Sequence, residues 1–457
     1  MPTERRPRTT ARPAGRGGAP PSAPAPSIPV EPGTTGRLLV LLGDGADART
    51  AARSLTRATG VSLTSSAELG EGALDPDVLQ AGAGVHLDSL GVLVLEPDPD
   101  QAAAVAAAAG STPGILAVEP ERIVYAIGDG SVAGYVQGFR DGVDDLAERV
   151  LGLGGALSAA GELTAQETFV DTDTTWGLKA VGVVGTTWTG KGIRIAVLDT
   201  GFDAGHPDFV GRTVTRASFI TGQTADDGHG HGTHCIGTAC GPRKPQRLPA
   251  YGIASEAEIY AGKVLSNQGS GADGGILSGI DWAIRNKCTV ISMSLGAPVA
   301  ANAAFSTVYE TVAQRALAAG SLIVAAAGNE SSRPGRIAPV GHPANCPSIV
   351  AVAALDSKLG IAPFSSGGMN VSGGQVDIAA PGVAVISTAP RPRLYATMSG
   401  TSMATPHVAG LVALHAQANP GMAGGSLGWL LLQSARRLAL PNRDVGGGLA
   451  QAPGATP

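Results

Sequence analysis

From Thr174 onward, short apolar runs recur with almost no polar alternation: Ile193–Leu198, Ile259–Leu265, Val290–Leu295, Leu322–Ala327 and Ile349–Ala354. Strands buried on both faces of a parallel sheet read this way, whereas half-exposed strands alternate. Between these runs, Gly274–Arg285 and Val308–Ala319 carry apolar residues at helical spacing. The alternation predicts an α/β unit over residues 171–457 with a doubly wound, mainly parallel sheet, whose sites gather at the carboxyl ends of its strands. The earlier part of the chain has another rhythm. Leu38–Leu42, Val61–Glu68, Val85–Leu95 and Ile115–Ile127 read as strands, and Ala46–Ala58 and Pro99–Ala109 as helices. Strand–helix–strand–strand–helix–strand predicts a small ferredoxin-like α+β unit over residues 37–127. Between the two units, residues 128–170 read as a linker or extension, with Tyr135–Leu153 as an amphipathic helix bearing Asp141, Asp144, Asp145 and Glu148.

Composition narrows the function classes. The chain has 457 residues and a net charge of −5, with no basic face dense enough for nucleic acid. No apolar run has the length of a membrane span. Residues 1–36 are rich in Pro, Ala and Arg and lack a hydrophobic centre, so they read as a disordered tail. Without a visible export signal, retention in the cytoplasm and export by another route both stay open. Cys235, Cys240, Cys288 and Cys346 form no CxxC pair and read as reduced structural thiols.

Four stretches carry chemistry, each at a predicted strand end or helix start. In Tyr395–Gly410, Ser402 stands where a Gly/Ser/Thr loop meets the apolar run Val408–Ala416. The first turn of a helix has free N–H donors and the positive end of the dipole, which suit a hydroxyl attacking a carbonyl. A plain helix cap has the same residues. Asp199 ends the run Ile195–Leu198, where a carboxylate needs hydrogen bonds or a cation, or else forms a turn. His231 opens a predicted helix between Gly230 and Gly232. With His229 and His234 it also admits a metal reading, although no carboxylate lies within the helix that follows. Asn329 follows the run Ile323–Ala327, placed to aim its amide N–H at a developing oxyanion. Taken together, Ser402 is the predicted nucleophile, His231 its base, Asp199 the group that orients the ring, and Asn329 an oxyanion donor shared with the Ser402 backbone N–H.

Ala196–Phe209 (AVLDTGFDAGHPDF), Gly230–Ala239 (GHGTHCIGTA), Ile291–Gly296 (ISMSLG), Val324–Glu330 (VAAAGNE) and Gly400–Gly410 (GTSMATPHVAG) together resemble the subtilisin-like serine proteases. The resemblance implies an endopeptidase that cleaves protein or peptide substrates through an acyl-enzyme, with no cofactor required for catalysis and the chain acting as a monomer. It implies a substrate strand held between Gly269, Ser270, Gly271 on one side and Ser294, Leu295, Gly296 on the other, with Gly341 at the base of the first specificity pocket. Glu330 at its rim, opposed by Arg333 and Arg336, implies broad, mainly apolar preference. It also implies that residues 37–127 are a prosegment acting as an intramolecular inhibitor, with Val118–Ile127 in the cleft and self-cleavage after Ile127. Cys235 in HGTHC is similar to the proteinase K branch and implies sensitivity to mercurials. Asp208 matches a calcium position, but Gly241–Tyr251 offers Arg243, Lys244 and Arg247 and no anionic oxygen, so calcium is left unplaced. A dedicated precursor-processing protease, a peptide ligase and an inactive peptide-binding homologue remain as alternatives.

Overall fold

Two sheets, placed side by side by one extended segment, organise the chain. The computed structural model describes residues 33–79, 84–97, 105, 107, 112–127 and 167–455. Its first unit consists of β1 (Thr34–Leu42), α1 (Ala46–Thr59), β2 (Leu63–Ser65), β3 (Gly84–Leu87), β4 (Val92–Leu95) and β5 (Ile115–Ala126). They run in the order β5-β1-β4-β3-β2. All neighbours are antiparallel except β2 and β3, which are parallel. The ferredoxin-like order is present, with β2 as an added edge.

Two strand predictions need correcting. Val85–Leu95 is not one strand but a hairpin, because Asp88-Ser89-Leu90-Gly91 turns the chain with Gly91 at φ +59°. Val61–Glu68 shrinks to the three residues of β2 and then a single turn of 3₁₀ helix. Of the predicted helix Pro99–Ala109, Val105 and Ala107 are helical and the rest lies outside the described residues. Tyr135–Leu153 lies outside them as well.

The apolar run of β1 is explained by its two faces. Side chains alternate across a strand. Val40 and Leu42, with Leu93 and Leu95, pack on Ala51 and Leu55 of α1. Leu39 and Leu41, with Val92 and Val94, face the other way and join the core of the large unit. Polar contacts reinforce that interface. Glu121 Oε1 accepts from Gly274 N at 2.8 Å, and Glu119 accepts from Ser306 Oγ at 2.6 Å and Val308 N at 3.1 Å. Both carboxylates thus meet free amides at helix starts, where negative charge is stabilised.

The second unit comprises α2 (Trp176–Ala180), β6 (Arg194–Asp199), β7 (Val214–Ser218), α3 (His231–Cys240), β8 (Glu258–Lys263), β9 (Ser270–Ala272), α4 (Asp273–Arg285), β10 (Val290–Met293), β11 (Leu295–Gly296), α5 (Thr307–Ala318), β12 (Leu322–Ala326), β13 (Val350–Leu355), β14 (Ile378–Pro381), β15 (Val385–Thr388), β16 (Tyr395–Met398), α6 (Thr401–Ala418), α7 (Gly425–Ser434) and α8 (Asn442–Val445). Seven strands form one sheet in the order β14-β13-β12-β10-β6-β8-β7. Every pair in it is parallel. The predicted run Val290–Leu295 divides after Met293. Leu295 and Gly296 leave this sheet and pair antiparallel with Ala126 and Tyr125 of β5. The chain order reverses between β6 and β10, so the crevice of a doubly wound sheet opens at Asp199 and Ser294. Helix α6 packs on α3 and across β10, β12, β13 and β14.

Candidate active site

Each chemical residue is set by the end of an element. Asp199 is the last residue of β6 and His231 the first of α3. His231 Nδ1 lies 2.8 Å from Asp199 Oδ1, both side chains buried. The same oxygen accepts from Thr200 N at 2.7 Å. The approach needs the glycine after the histidine, since a Cβ on Gly232 would fall on Gly201 O. Burial alone pushes the His231 imidazole toward neutrality. The Asp199 carboxylate, with Cys235 behind it, more than offsets this and raises the ring well above its usual range.

Ser402 is the second residue of α6 and fully buried. Asn329 follows β12 through Gly328, whose φ of +114° turns the strand out into the cleft. Thr401 donates to Asn329 Oδ1 from both N and Oγ1, each at 3.0 Å. Those two donors fix the amide, leaving Nδ2 to face the cleft. Into that cleft runs β5. Ile123, Val124 and Tyr125 pair antiparallel with Ala272, Gly271 and Ser270 of β9, and Tyr125 and Ala126 with β11. Two further bonds extend the ladder: Ala126 N to Gly269 O at 2.8 Å and Ile127 N to Ser294 O at 3.2 Å. Ile127 O then accepts from Ser402 Oγ, and from Asn329 Nδ2 at 3.5 Å. Ser402 Oγ also lies 3.1 Å from Ser294 O, while His231 Nε2 is buried without a partner. The hydroxyl therefore faces the carbonyl of Ile127 rather than the imidazole.

The other predicted residues fall as follows. Gly269, Ser270, Gly271, Ser294, Leu295 and Gly296 line the tail segment. A Cβ on Gly296 would meet Ile127 Cδ1 at 2.7 Å, so this glycine faces the side chain before the junction. A Cβ on Gly341 would lie 2.8 Å from Ala297 O, beside the bridge that joins Ala297 to His342 and next to the Gly296 wall. Glu330 turns to Ser366 Oγ at 3.1 Å, and Arg333 pairs with Asp444 at 2.7 Å. The three histidines do not converge. His229 is exposed, and His234 Nε2 contacts Val385 O at 3.1 Å and Ala396 O at 3.2 Å, its pKa lowered to about 3 by burial. Cys235 Sγ lies 3.9 Å from His231 Nδ1 and 3.6 Å from Ser402 O. Asp199, His231 and Cys235 offer ligand atoms within 4.8 Å of one another. Two of those atoms are spent on the Asp–His hydrogen bond, and burial raises the thiol and keeps it protonated.

The calcium position does not fit a cation. Asp208 Oδ2 accepts from Tyr251 Oη at 2.7 Å and Tyr395 Oη at 3.0 Å, and Oδ1 from Gln246 N at 3.3 Å. Burial, with the Asp208 carboxylate, raises both phenols, Tyr395 to about 12. Two neutral phenols thus occupy the carboxylate oxygen that a metal would use. Tyr251→Phe is expected to lower unfolding free energy by about 1–3 kcal/mol in urea titration, the size of a lost hydrogen bond to a charged group, with no recovery on adding calcium. Recovery with calcium would show that the carboxylate takes the ion.

A serine hydroxyl, an imidazole and a carboxylate thus stand at the switch point of a parallel sheet, the place where such sheets carry their sites. The model of the subtilase family matches residues 190–448. Subtilisin E of Bacillus subtilis (strain 168) is 42% identical over 245 residues, which are 53% of this chain and 60% of that protein. A subtilisin of Bacillus pumilus is 41% identical over 245 residues, 53% of this chain and 83% of that protein. A thermostable alkaline protease of Halalkalibacterium halodurans is 41% identical over 268 residues, 58% of this chain and 68% of that protein. The chain, which spans about 60% of the length of subtilisin E, belongs to the subtilase family.

Proposed function

We propose that the chain is a serine endopeptidase made as a zymogen that cuts itself after Ile127. The observation that carries the reading is the tail of β5, which adds as a strand between β9 and β11 and sets the Ile127 carbonyl against Ser402 Oγ and Asn329 Nδ2. A protein substrate adds in the same way, held by backbone bonds that ignore side-chain identity. Ser402 Oγ attacks the carbonyl carbon as His231 Nε2 takes its proton, with Asp199 holding the imidazolium. Asn329 Nδ2 donates to the oxyanion. His231 then gives the proton to the leaving amine, and water releases the acyl group by the reverse sequence. Ile127 and Val124 are buried while Tyr125 is exposed, which favours apolar residues immediately before the cut and three residues upstream. The unit of residues 37–127 is the inhibitor until it is severed and released, and residues 128–170 become the amino-terminal extension.

A fluorophosphonate probe tests the reading directly: covalent label on Ser402, lost after Ser402→Ala, supports it, and an unlabelled folded enzyme is the inactive binding homologue. A cleavage profile over a peptide library separates a broad protease from one dedicated to a single precursor. Asn329→Ala is expected to lower kcat by about 10²–10³ with KM little changed, because its donor serves the transition state; the size is that known for this donor in subtilisin. Equal losses in binding and turnover would remove the residue from that role.

A further inference from the structure

Behind the triad lies a closed polar cluster that the steps above do not use. Lys263, the last residue of β8, is the register partner of Asp199 and fully buried. Its Nζ donates to Thr200 O at 2.5 Å and to Asn267 Oδ1 at 2.9 Å. Thr200 is a hub. Its N–H reaches Asp199 Oδ1, its hydroxyl donates to Asp227 Oδ1 at 2.8 Å, and the same hydroxyl accepts from Gly232 N at 2.8 Å. Asp227, also buried, accepts from His229 N at 3.0 Å and Gly230 N at 2.7 Å, and from Thr233 N at 2.8 Å and Thr233 Oγ1 at 2.7 Å. One lysine thus grips the peptide that ties the acid of the triad to the helix start that carries its base.

Charge sharpens the point. Asp199 Oδ2 is buried with no hydrogen-bond partner, so hydrogen bonds leave part of its charge uncompensated. Burial lowers the Lys263 pKa, and Asp227, Asp199 and Asp226 act to keep it charged. His231 meets Asp199 from β6 and Cys235 from its own helix, with the His229 ring 6.2 Å away and His234 also within its field, while Asp227 and Lys263 act on the neighbours His229 and, for the lysine, Asp199. Among these, Lys263 is the cation that opposes the charge of Asp199.

We propose that Lys263 is a positioning residue of the triad, whose buried ammonium orients the Asp199–Thr200 turn and holds down the proton affinity of His231. The inference rests on the hydrolytic reading above. Removing the cation leaves Asp199 and Asp227 to stabilise the imidazolium alone, so His231 holds its proton to higher pH. The acid limb of kcat/KM in matured enzyme is the readout. Lys263→Arg, which keeps the charge, is expected to follow the parent. Lys263→Met and Lys263→Gln are expected to move the limb upward by roughly 0.5–1 pH unit, the effect of one charge several ångströms away at intermediate dielectric. Asn267 is exposed, so Asn267→Asp keeps the experiment decisive if the neutral variants fail to fold. A carboxylate against Nζ offsets the ammonium and moves the limb the same way, by more than Gln268→Asp, the control for a bare surface charge. A purely structural lysine would lower activity or stability and leave the limb in place. Superimposable profiles in the neutral variants that fold, together with equal shifts in the two aspartate variants, would overturn the proposal. An inactive parent enzyme would overturn the hydrolytic reading instead.

Discussion

Ser402→Ala is expected to lower peptide hydrolysis by about six orders of magnitude and to leave the precursor as one uncut chain of 45.4 kDa. The magnitude is the one known for a lost triad nucleophile in subtilisin rather than a quantity computed from these distances. The direction follows from geometry. The hydroxyl of Ser402, the proposed nucleophile, is set against the carbonyl of Ile127, and alanine leaves Asn329 and the paired tail in place. The variant therefore folds, binds its own tail and stops before the first covalent step. Gel analysis of purified precursor over days, with a chromogenic peptide assay beside it, gives the result. Conversion of the variant at the parent's rate, without added protease, would place the chemistry elsewhere.

Ile127→Asp is expected to slow the first cut by about 10²–10³. Ile127 is buried at 8% exposure, with its Cδ1 over Gly296. A carboxylate in that place loses its water and gains no partner, at a cost of roughly 3–4 kcal/mol when set against each tenfold per 1.4 kcal/mol. The rest of the tail is unchanged, and Glu119 and Glu121 still hold the helix starts. The variant precursor accumulates with a folded, inhibited catalytic unit. Amino-terminal sequencing of the parent's matured form is the companion measurement. A first residue other than Gly128, combined with normal maturation of Ile127→Asp, would move the junction.

The sheet interior was legible in the sequence because strands buried on both faces leave unbroken apolar runs. Five runs became β6, β8, β10, β12 and β13 with ends shifted by a few residues. The strands of this sheet that were missed, β7 and β14, are its two edges. An edge strand such as Val214–Ser218 carries an exposed Arg216 and has no continuous apolar signature. The hairpin inside Val85–Leu95 was hidden by apolar residues on either side of a turn whose four residues interrupt the run only briefly. The positions of Asp199, His231, Asn329 and Ser402 at strand ends and helix starts were legible because glycine marks each of them. The resemblance put Gly296 on the wall of the cleft, but that it faces the Ile127 side chain was not legible, because which glycine faces a side chain depends on how two distant segments cross. Nothing local marked Lys263 either, since a lysine ending a strand ordinarily reaches solvent.

The two-faced sheet of the amino-terminal unit has a further consequence. Leu39, Leu41, Val85, Leu87, Val92 and Val94 are covered by the large unit rather than by α1. Parting the two units in water would strip roughly ten kcal/mol or more of burial from those six side chains, as much as the whole folding stability of a piece this size. On the proposed maturation, a severed amino-terminal piece that lets go would be left without a fold of its own and open to digestion, so activation would run in one direction.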